Sequence, residues 1–341
     1  MKVLIVGTTV YSLPPAGYSG LEMLCYHLAC GLAKKGHQVA VVAPKDSRLP
    51  QEVELVPTEL REDEEAVWGR YRNRIEGGDV DVVLDSSWQR WATMSNVGKD
   101  PQIPIVNWHH TDPSVYGSPA PVPYNLWVGI SQNHALRLSQ HFQLPVRYVY
   151  NGVDTEFYKA NGRARGERYV WLSRYTPEKG AAEVIGLAQK MRVGLDLYGD
   201  VEIIADPRYR DLCFQRADGI FAKASGGVSR EQTVDLYTTH KGFLYWLNWE
   251  EPFGLAIAEA QAAGCPPIVS RRGAAPELVR DGVTGFVVDT LAQMEELVKS
   301  KAVDQLNRET MRQHIEANFG LAKFVEDWER LLLEVVAGTR W

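Results

Sequence analysis

The chain has 341 residues, 45% of them hydrophobic, and a formal net charge of −6. That length and apolar content suit two globular domains with full cores, and the acidic balance argues against a general nucleic-acid surface. Any phosphate site must therefore be made by a few local cations.

MKVLIVG reads as a first parallel strand ending in glycine. The loop TTVYSLPPAGYSGLE follows, and then a helical stripe of Leu21, Leu24, Leu28 and Leu32 closed by Gly36. HQVAVVAP is a second strand. This strand–loop–helix–strand unit belongs to doubly wound sheets, although it lacks the spaced triple-glycine dinucleotide fingerprint. Residues 51–79 are polar and charged, and REDEEAVWGRYRNRIEGG reads as an exposed helix. VDVVLDS is the next strand. Asp79 and Asp81 imitate a metal-binding Asp-x-Asp, but they sit at the strand's N-terminal end. Open α/β sheets bind ligands at the carboxyl ends, so a turn is the better reading. IPIVNWHHTDP runs a strand into His109 and His110, well placed for function. LWVGIS, QNHALRLSQHF and VRYVYNGVD give strand, helix and strand. The polar, glycine-bearing residues 155–168 suit a linker.

RYVWLSRYTPEKG opens a second unit of the same kind, with Arg174 closing its strand and Lys179 starting the next helix. Two cations beside a helix N-terminus offset a diphosphate's charge. GLDLYGD, GIFAKA and KGFLYWLNW read as further strands, and Ser229 with Gln232 forms a capping box after the Gly226–Gly227–Val228 loop. Residues 248–279, NWEEPFGLAIAEAQAAGCPPIVSRRGAAPELV, organise the second half. Pro252 suits a first helical turn, and the Ala-rich run from Leu255 to Ala263 favours helix. Gly264 stops it, and a short buried strand follows. A glycine turn feeding a helix N-terminus binds anions. Glu251 lies at its mouth, and Glu259 lies about two turns further along. That layout suits a nucleotide sugar, with phosphates in the middle and hydroxyls at both ends. GVTGFVVD reads as a short strand or hairpin. Residues 291–338 are helical, with an apolar face of Phe319, Phe324, Trp328, Leu331 and Leu332.

Glu251-x7-Glu259 within EEPFGLAIAEAQAAGCPPIVS, followed by RRGAAPELVRDGVTGFVVD, resembles the signature of retaining glycosyltransferases of family 4. The resemblance covers essentially the whole chain. It extends to AGYSGLE, where Ser19 replaces the first glycine of the family's glycine-rich loop. It implies the α/β GT-B fold, two doubly wound Rossmann-like domains facing across a cleft. An acceptor-side domain would span 1–158, a nucleotide-sugar domain 159–318, and a C-terminal helix, 319–341, would cross back to the N-terminal domain. It further implies that Arg174 and Lys179 bind the diphosphate and that Glu251 contacts the donor sugar. Glu259 would hold the ribose, and backbone N–H groups of Phe253, Gly254 and Leu255 the phosphates. Gly20 and Val228 would line the donor. His110 would hydrogen-bond the sugar, with His109 as runner-up. Tyr18, Trp88, Trp108, His109 and Tyr116 are the main aromatic and polar candidates on the acceptor side. Tyr11, Trp91, Tyr124 and Trp127 lie near the same loops.

The expected activity is transfer of a hexose from a nucleoside-diphosphate sugar, UDP favoured over GDP, to a hydroxyl acceptor such as a small soluble sugar or aglycone. Alternatives are a nucleotide-sugar epimerase or hydrolase, or a transferase using a lipid-linked acceptor. No cofactor or metal is expected, because the local cations serve the diphosphate. Cys25, Cys30, Cys213 and Cys265 show no metal-ligand spacing and read as reduced thiols of a cytoplasmic protein. A strand beginning at Lys2 leaves no room for a signal peptide, and no apolar run is long enough to span a membrane. A monomer or homodimer is expected.

Overall fold

The computed structural model describes residues 1–17, 19–95, 103–113, 126–160, 162–199 and 206–341. It divides into two compact units, Met1–Gly152 with Leu321–Trp341, and Val153–Gly320.

The first unit is built on seven parallel strands: β1 (Lys2–Val6), β2 (Gln38–Pro44), β3 (Val53–Thr58), β4 (Val82–Asp85), β5 (Ile105–Trp108), β6 (Leu126–Gly129) and β7 (Val146–Tyr148), in the order β3-β2-β1-β4-β5-β6-β7. Helices α1 (Gly20–Lys34), α2 (Glu64–Glu76), α3 (Trp91–Met94) and α4 (Gln132–Phe142) connect them. Val3 to Val6 and all of β4, β5 and β6 are buried, as expected for strands covered on both faces. β3 lies inside the stretch that reads as polar. It is an edge strand with Glu54 exposed and Pro57 in its run, a composition that edges tolerate and central strands do not.

The second unit carries β8 (Tyr169–Leu172), β9 (Leu195–Tyr198), β10 (Ala222–Ser225), β11 (Phe243–Tyr245), β12 (Pro267–Ser270) and β13 (Phe286–Val288), parallel and ordered β10-β9-β8-β11-β12-β13. Its helices are α5 (Ala181–Met191), α6 (Pro207–Arg216), α7 (Arg230–Thr239), α8 (Leu255–Ala262), α9 (Ala275–Leu278), α10 (Leu291–Lys299) and α11 (Arg308–Phe319). Residues 155–160, read as part of a linker, are fastened to this unit. Arg312 of α11 donates to the Thr155 carbonyl and the Glu156 carboxylate, and Val153 N–H donates to the Phe319 carbonyl at 2.8 Å.

The helical C-terminal region is three helices, α10, α11 and α12 (Leu321–Val336), with a 3-10 turn at Ala302–Gln305. α12 packs on α1 in the first unit. Phe324, Trp328, Leu331, Leu332 and Val335 form its buried face, and Glu329 takes Lys35 and His37 at 2.8 Å each.

In both sheets the chain reverses direction beside the first strand, between β1 and β4 and between β8 and β11. Such reversal points, at the carboxyl ends of the strands, are where doubly wound sheets bind ligands.

Candidate active site

In the second unit the residues that follow β8 and β11 meet. Arg174 comes two residues after β8, and Lys179 closes the 3-10 turn Pro177–Lys179. Gly180 follows with φ +65°, and a Cβ there would overlap the Trp246 carbonyl oxygen, so only glycine lets the turn lie against the chain after β11. That turn is tied down on several sides. Trp171 Nε1 donates to the Lys179 carbonyl at 3.0 Å, Asn248 Nδ2 to the Pro177 carbonyl at 2.9 Å, and Asn248 N to the Glu178 carbonyl at 2.9 Å.

The Lys179 Nζ donates to Glu251 Oε2 at 2.5 Å, with both side chains buried. Trp249 completes the group. Its indole N–H donates to the same Glu251 oxygen at 3.1 Å, and its ring lies 4.4 Å from Lys179 Nζ. Burial pushes the Lys179 ammonium below its ordinary range, Glu251 opposes that, and the charge of Arg174 adds to it. An incoming anion would relieve the last effect.

Glu251 is followed by the glycine turn. Gly254 has φ +94° and is the N-cap of α8, which begins at Leu255. Pro252 thus lies before the helix, not in its first turn. Phe253 is buried, while Val228 and Leu255 are half-buried. Glu259, on α8, is 6% exposed. It lies beside Tyr158, whose hydroxyl is raised well above its usual range by burial and by the Glu259 carboxylate. Next to them Arg230, the first residue of α7, stacks 3.9 Å from the Phe157 ring. The capping box of Ser229 and Gln232 holds the start of α7.

In the first unit, Gly20 opens α1. Glu22 accepts from Thr8 Oγ1 at 2.5 Å and from Ser19 Oγ, joining the loop after β1 to the helix start. His110 follows β5, its Nε2 3.2 Å from Ser86 Oγ, just after β4. Burial and the charges of Arg90 and His134 hold its imidazole well below the ordinary histidine range, so it is neutral. Arg90 braces this loop by donating to the Asp85 carbonyl at 2.9 Å and the Trp108 carbonyl at 3.2 Å.

Two acceptor-side expectations are corrected. Trp108 is fully buried between Trp328, Phe324 and His110, leaving no free face for a sugar. His109 points the other way from His110, into a core of Trp127, Phe142 and His134, and its Nδ1 accepts from Thr111 N at 3.3 Å. Trp127 is likewise buried, whereas Trp88 is 45% exposed and Tyr11 and Trp91 are half-buried. Tyr18, Tyr116 and Tyr124 lie outside the described residues. Asp81 is occupied at the start of β4, where its Oδ2 accepts from Lys2 N at 2.6 Å.

Two family descriptions together match residues 18–318 of this chain. Glycosyltransferase Family 4 matches residues 18–157 and Glycosyl transferases group 1 matches residues 156–318. The chain belongs to the group 1, family 4 glycosyltransferases. Its fold is GT-B. A glycosyltransferase involved in avilamycin A biosynthesis superposes with a TM-score of 0.76 at 22% identity, covering 100% of this chain and 99% of the other. Among sequence relatives, a GDP-mannose-dependent α-mannosyltransferase of Corynebacterium glutamicum is 29% identical over 157 residues, 43% of this chain but only 36% of that protein. The N-acetyl-α-D-glucosaminyl L-malate synthase of Bacillus anthracis is 22% identical over 270 residues, 68% of each chain. Among the described residues no helix is long and apolar enough to cross a membrane.

The sequence reading of this glycosyltransferase passes over Trp249, Ser86, Arg90 and Tyr158. Trp249 and Ser86 carry a usable signal, since both lie in loops after a strand's carboxyl end beside the sheet's reversal point. Tyr158 carries none, because its partner Glu259 lies about a hundred residues away.

Proposed function

We propose that this enzyme transfers a hexose, with retention and without a metal, from a nucleoside-diphosphate sugar to a hydroxyl of a small soluble acceptor. The Lys179–Glu251–Trp249 cluster beside the Gly254-capped helix start carries this reading. There a cation for the leaving diphosphate and a carboxylate for sugar hydroxyls share one buried corner. The α8 N-terminus adds backbone N–H groups for phosphate, and Arg174 adds a second cation. These positive groups serve the role a divalent ion would otherwise play. Glu259 takes the ribose hydroxyls, accepting two at once.

In the proposed step the donor's anomeric C–O bond breaks and its electron pair leaves with the diphosphate. The acceptor oxygen bonds the anomeric carbon from the same face, and its proton passes to the departing phosphate oxygen. Neutral His110 hydrogen-bonds the sugar and takes no proton. Glu251 is assigned the sugar hydroxyls and not a nucleophilic role; Lys179 and Trp249 N–H both donate to its Oε2. The mannosyltransferase relative is named for a guanosine donor, against the uridine preference expected above. The malate-linked product named for the other relative supports a small soluble acceptor. The free, largely buried thiols suit a cytoplasmic setting.

Thermal shift with UDP- and GDP-hexoses in chelator tests the donor. A ligand at about 100 times its Kd adds about 2.7 kcal/mol and raises the midpoint. One of the two series should shift the protein, and Glu259→Ala should abolish the rise. No shift until metal is added would refute the metal-free site. A covalent glycosyl adduct on Glu251 in mass spectra would refute same-face transfer.

A further inference from the structure

We propose that Ser86 and Cys25 are positioning residues that fix His110 as the tautomer carrying its proton on Nδ1, so that the ring presents an Nδ1–H donor. The inference rests on the role given to His110 above.

Ser86 is 3% exposed and lies just beyond β4, its backbone N–H held by the Val6 carbonyl at 2.9 Å. Among the described residues its hydroxyl has two hydrogen-bond partners, Cys25 Sγ of α1 at 3.7 Å and His110 Nε2 at 3.2 Å. A hydroxyl carries one proton and cannot donate to both. Burial raises Cys25 to about 12, so it remains a thiol with a proton to give. Sulfur is a weak acceptor and an imidazole nitrogen a good one. The better sum of the two contacts is therefore S–H to Ser86 Oγ and Ser86 O–H to His110 Nε2. Nε2 is then an acceptor, and a neutral imidazole must carry its proton on Nδ1. Burial, Arg90 and His134 all disfavour the doubly protonated ring, which would otherwise escape this constraint. The two relay residues come from α1 and from the residue after β4, both within the first unit, so the preference exists before any ligand arrives.

The tautomer is directly observable. Long-range proton–nitrogen correlation spectra of histidine-labelled protein, with His110 assigned from its loss in His110→Asn, should show Nδ1 protonated and Nε2 bare. Ser86→Ala should pull the two shifts toward each other as the tautomers mix, and Cys25→Ala should do so partially. In the transfer assay Ser86→Ala should lower kcat about fivefold, the worth of one hydrogen bond, with the donor KM within about twofold. A wild-type spectrum with the proton on Nε2 would overturn the proposal, as would unchanged nitrogen shifts in Ser86→Ala. If the spectra behave as expected and the wild-type protein transfers no sugar, the relay stands and the functional reading fails.

Discussion

Glu251→Ala should cost more stability than activity loss alone would reveal, and Lys179 is the reason. Lys179 is 6% exposed, its ion-pair partner among the described residues is Glu251 at 2.5 Å, and Arg174 acts on it as a second positive charge. Truncating one member of a buried ion pair strands the other and costs about 3 kcal/mol or more. The second unit spans residues 153–320, and in a domain of that size each kcal/mol moves the midpoint by roughly 2–4 °C. The transition of this unit should fall by about 6–12 °C. The deficit has a sign in pH. Without Glu251, burial and Arg174 both push the lysine's folded pKa down, so the unfolded chain binds more protons and stability rises with pH. The gap to wild type should therefore narrow as pH climbs toward the free lysine value of about 10. The double variant Lys179→Met with Glu251→Leu replaces the pair by apolar groups of similar size and should regain most of the lost stability. It should remain inactive. Calorimetry beside a nucleotide-release assay reads both quantities. A midpoint within about 1 °C of wild type for Glu251→Ala would show that Lys179 is not held charged in a buried site. A double variant that transferred sugar would remove both residues from the chemistry.

Glu259→Gln keeps the shape of its side chain and loses the charge. Donor KM should rise about tenfold or more, the worth of a charge-assisted hydrogen bond, while kcat measured at saturating donor stays close to wild type. Gly180→Ala places a Cβ on the Trp246 carbonyl at a left-handed φ. It should cost about 2 kcal/mol or more in denaturant unfolding and lower transfer through Lys179's displacement; full stability would mean the turn has room the geometry denies. His110 titrates well below the ordinary histidine range, so kcat/KM should show no inflection near pH 6.5 arising from it. The same profile in His110→Asn should differ in height and not in shape. Asp196 is desolvated, yet hydrogen bonds from His240 and Arg168 hold its carboxyl down to about 2. Its stabilisation is present above the unfolded value near 4 and is lost as pH falls through 2. Asp196→Asn should destabilise by about 2 kcal/mol at pH 7 and match wild type near pH 2 in urea unfolding.

What could be read without a structure, and what could not, divides by the distance over which a residue's meaning is decided. The turn into α8 is legible because its causes are adjacent. Gly254 supplies the left-handed cap, the alanines supply propensity, and Gly264, at φ +73°, stops the run. The strands themselves are legible to the same degree, since near-continuous apolar runs such as Val3 to Val6 mark parallel strands buried on both faces. That same burial is why Trp108 misleads. At the end of a two-faced strand an aromatic side chain looks alike whether it meets ligand or core. Trp328, which covers it, lies at the far end of the chain on α12. The His109–His110 pair follows β5, and the resemblance ranks His110 first; only packing shows that His109 meets Trp127 and Phe142 while His110 sits beside Ser86. The ion pair shows the limit most plainly. Lys179 and Glu251 are separately marked as a cation after one strand and an acid after another. Their meeting requires β8 and β11 to be neighbours, and no local pattern states that adjacency. Once the sheet order is known, though, the pairing follows with little freedom left. Both residues follow strands at the point where the chain reverses, and there the glycines and Asn248 allow the two loops a single close approach.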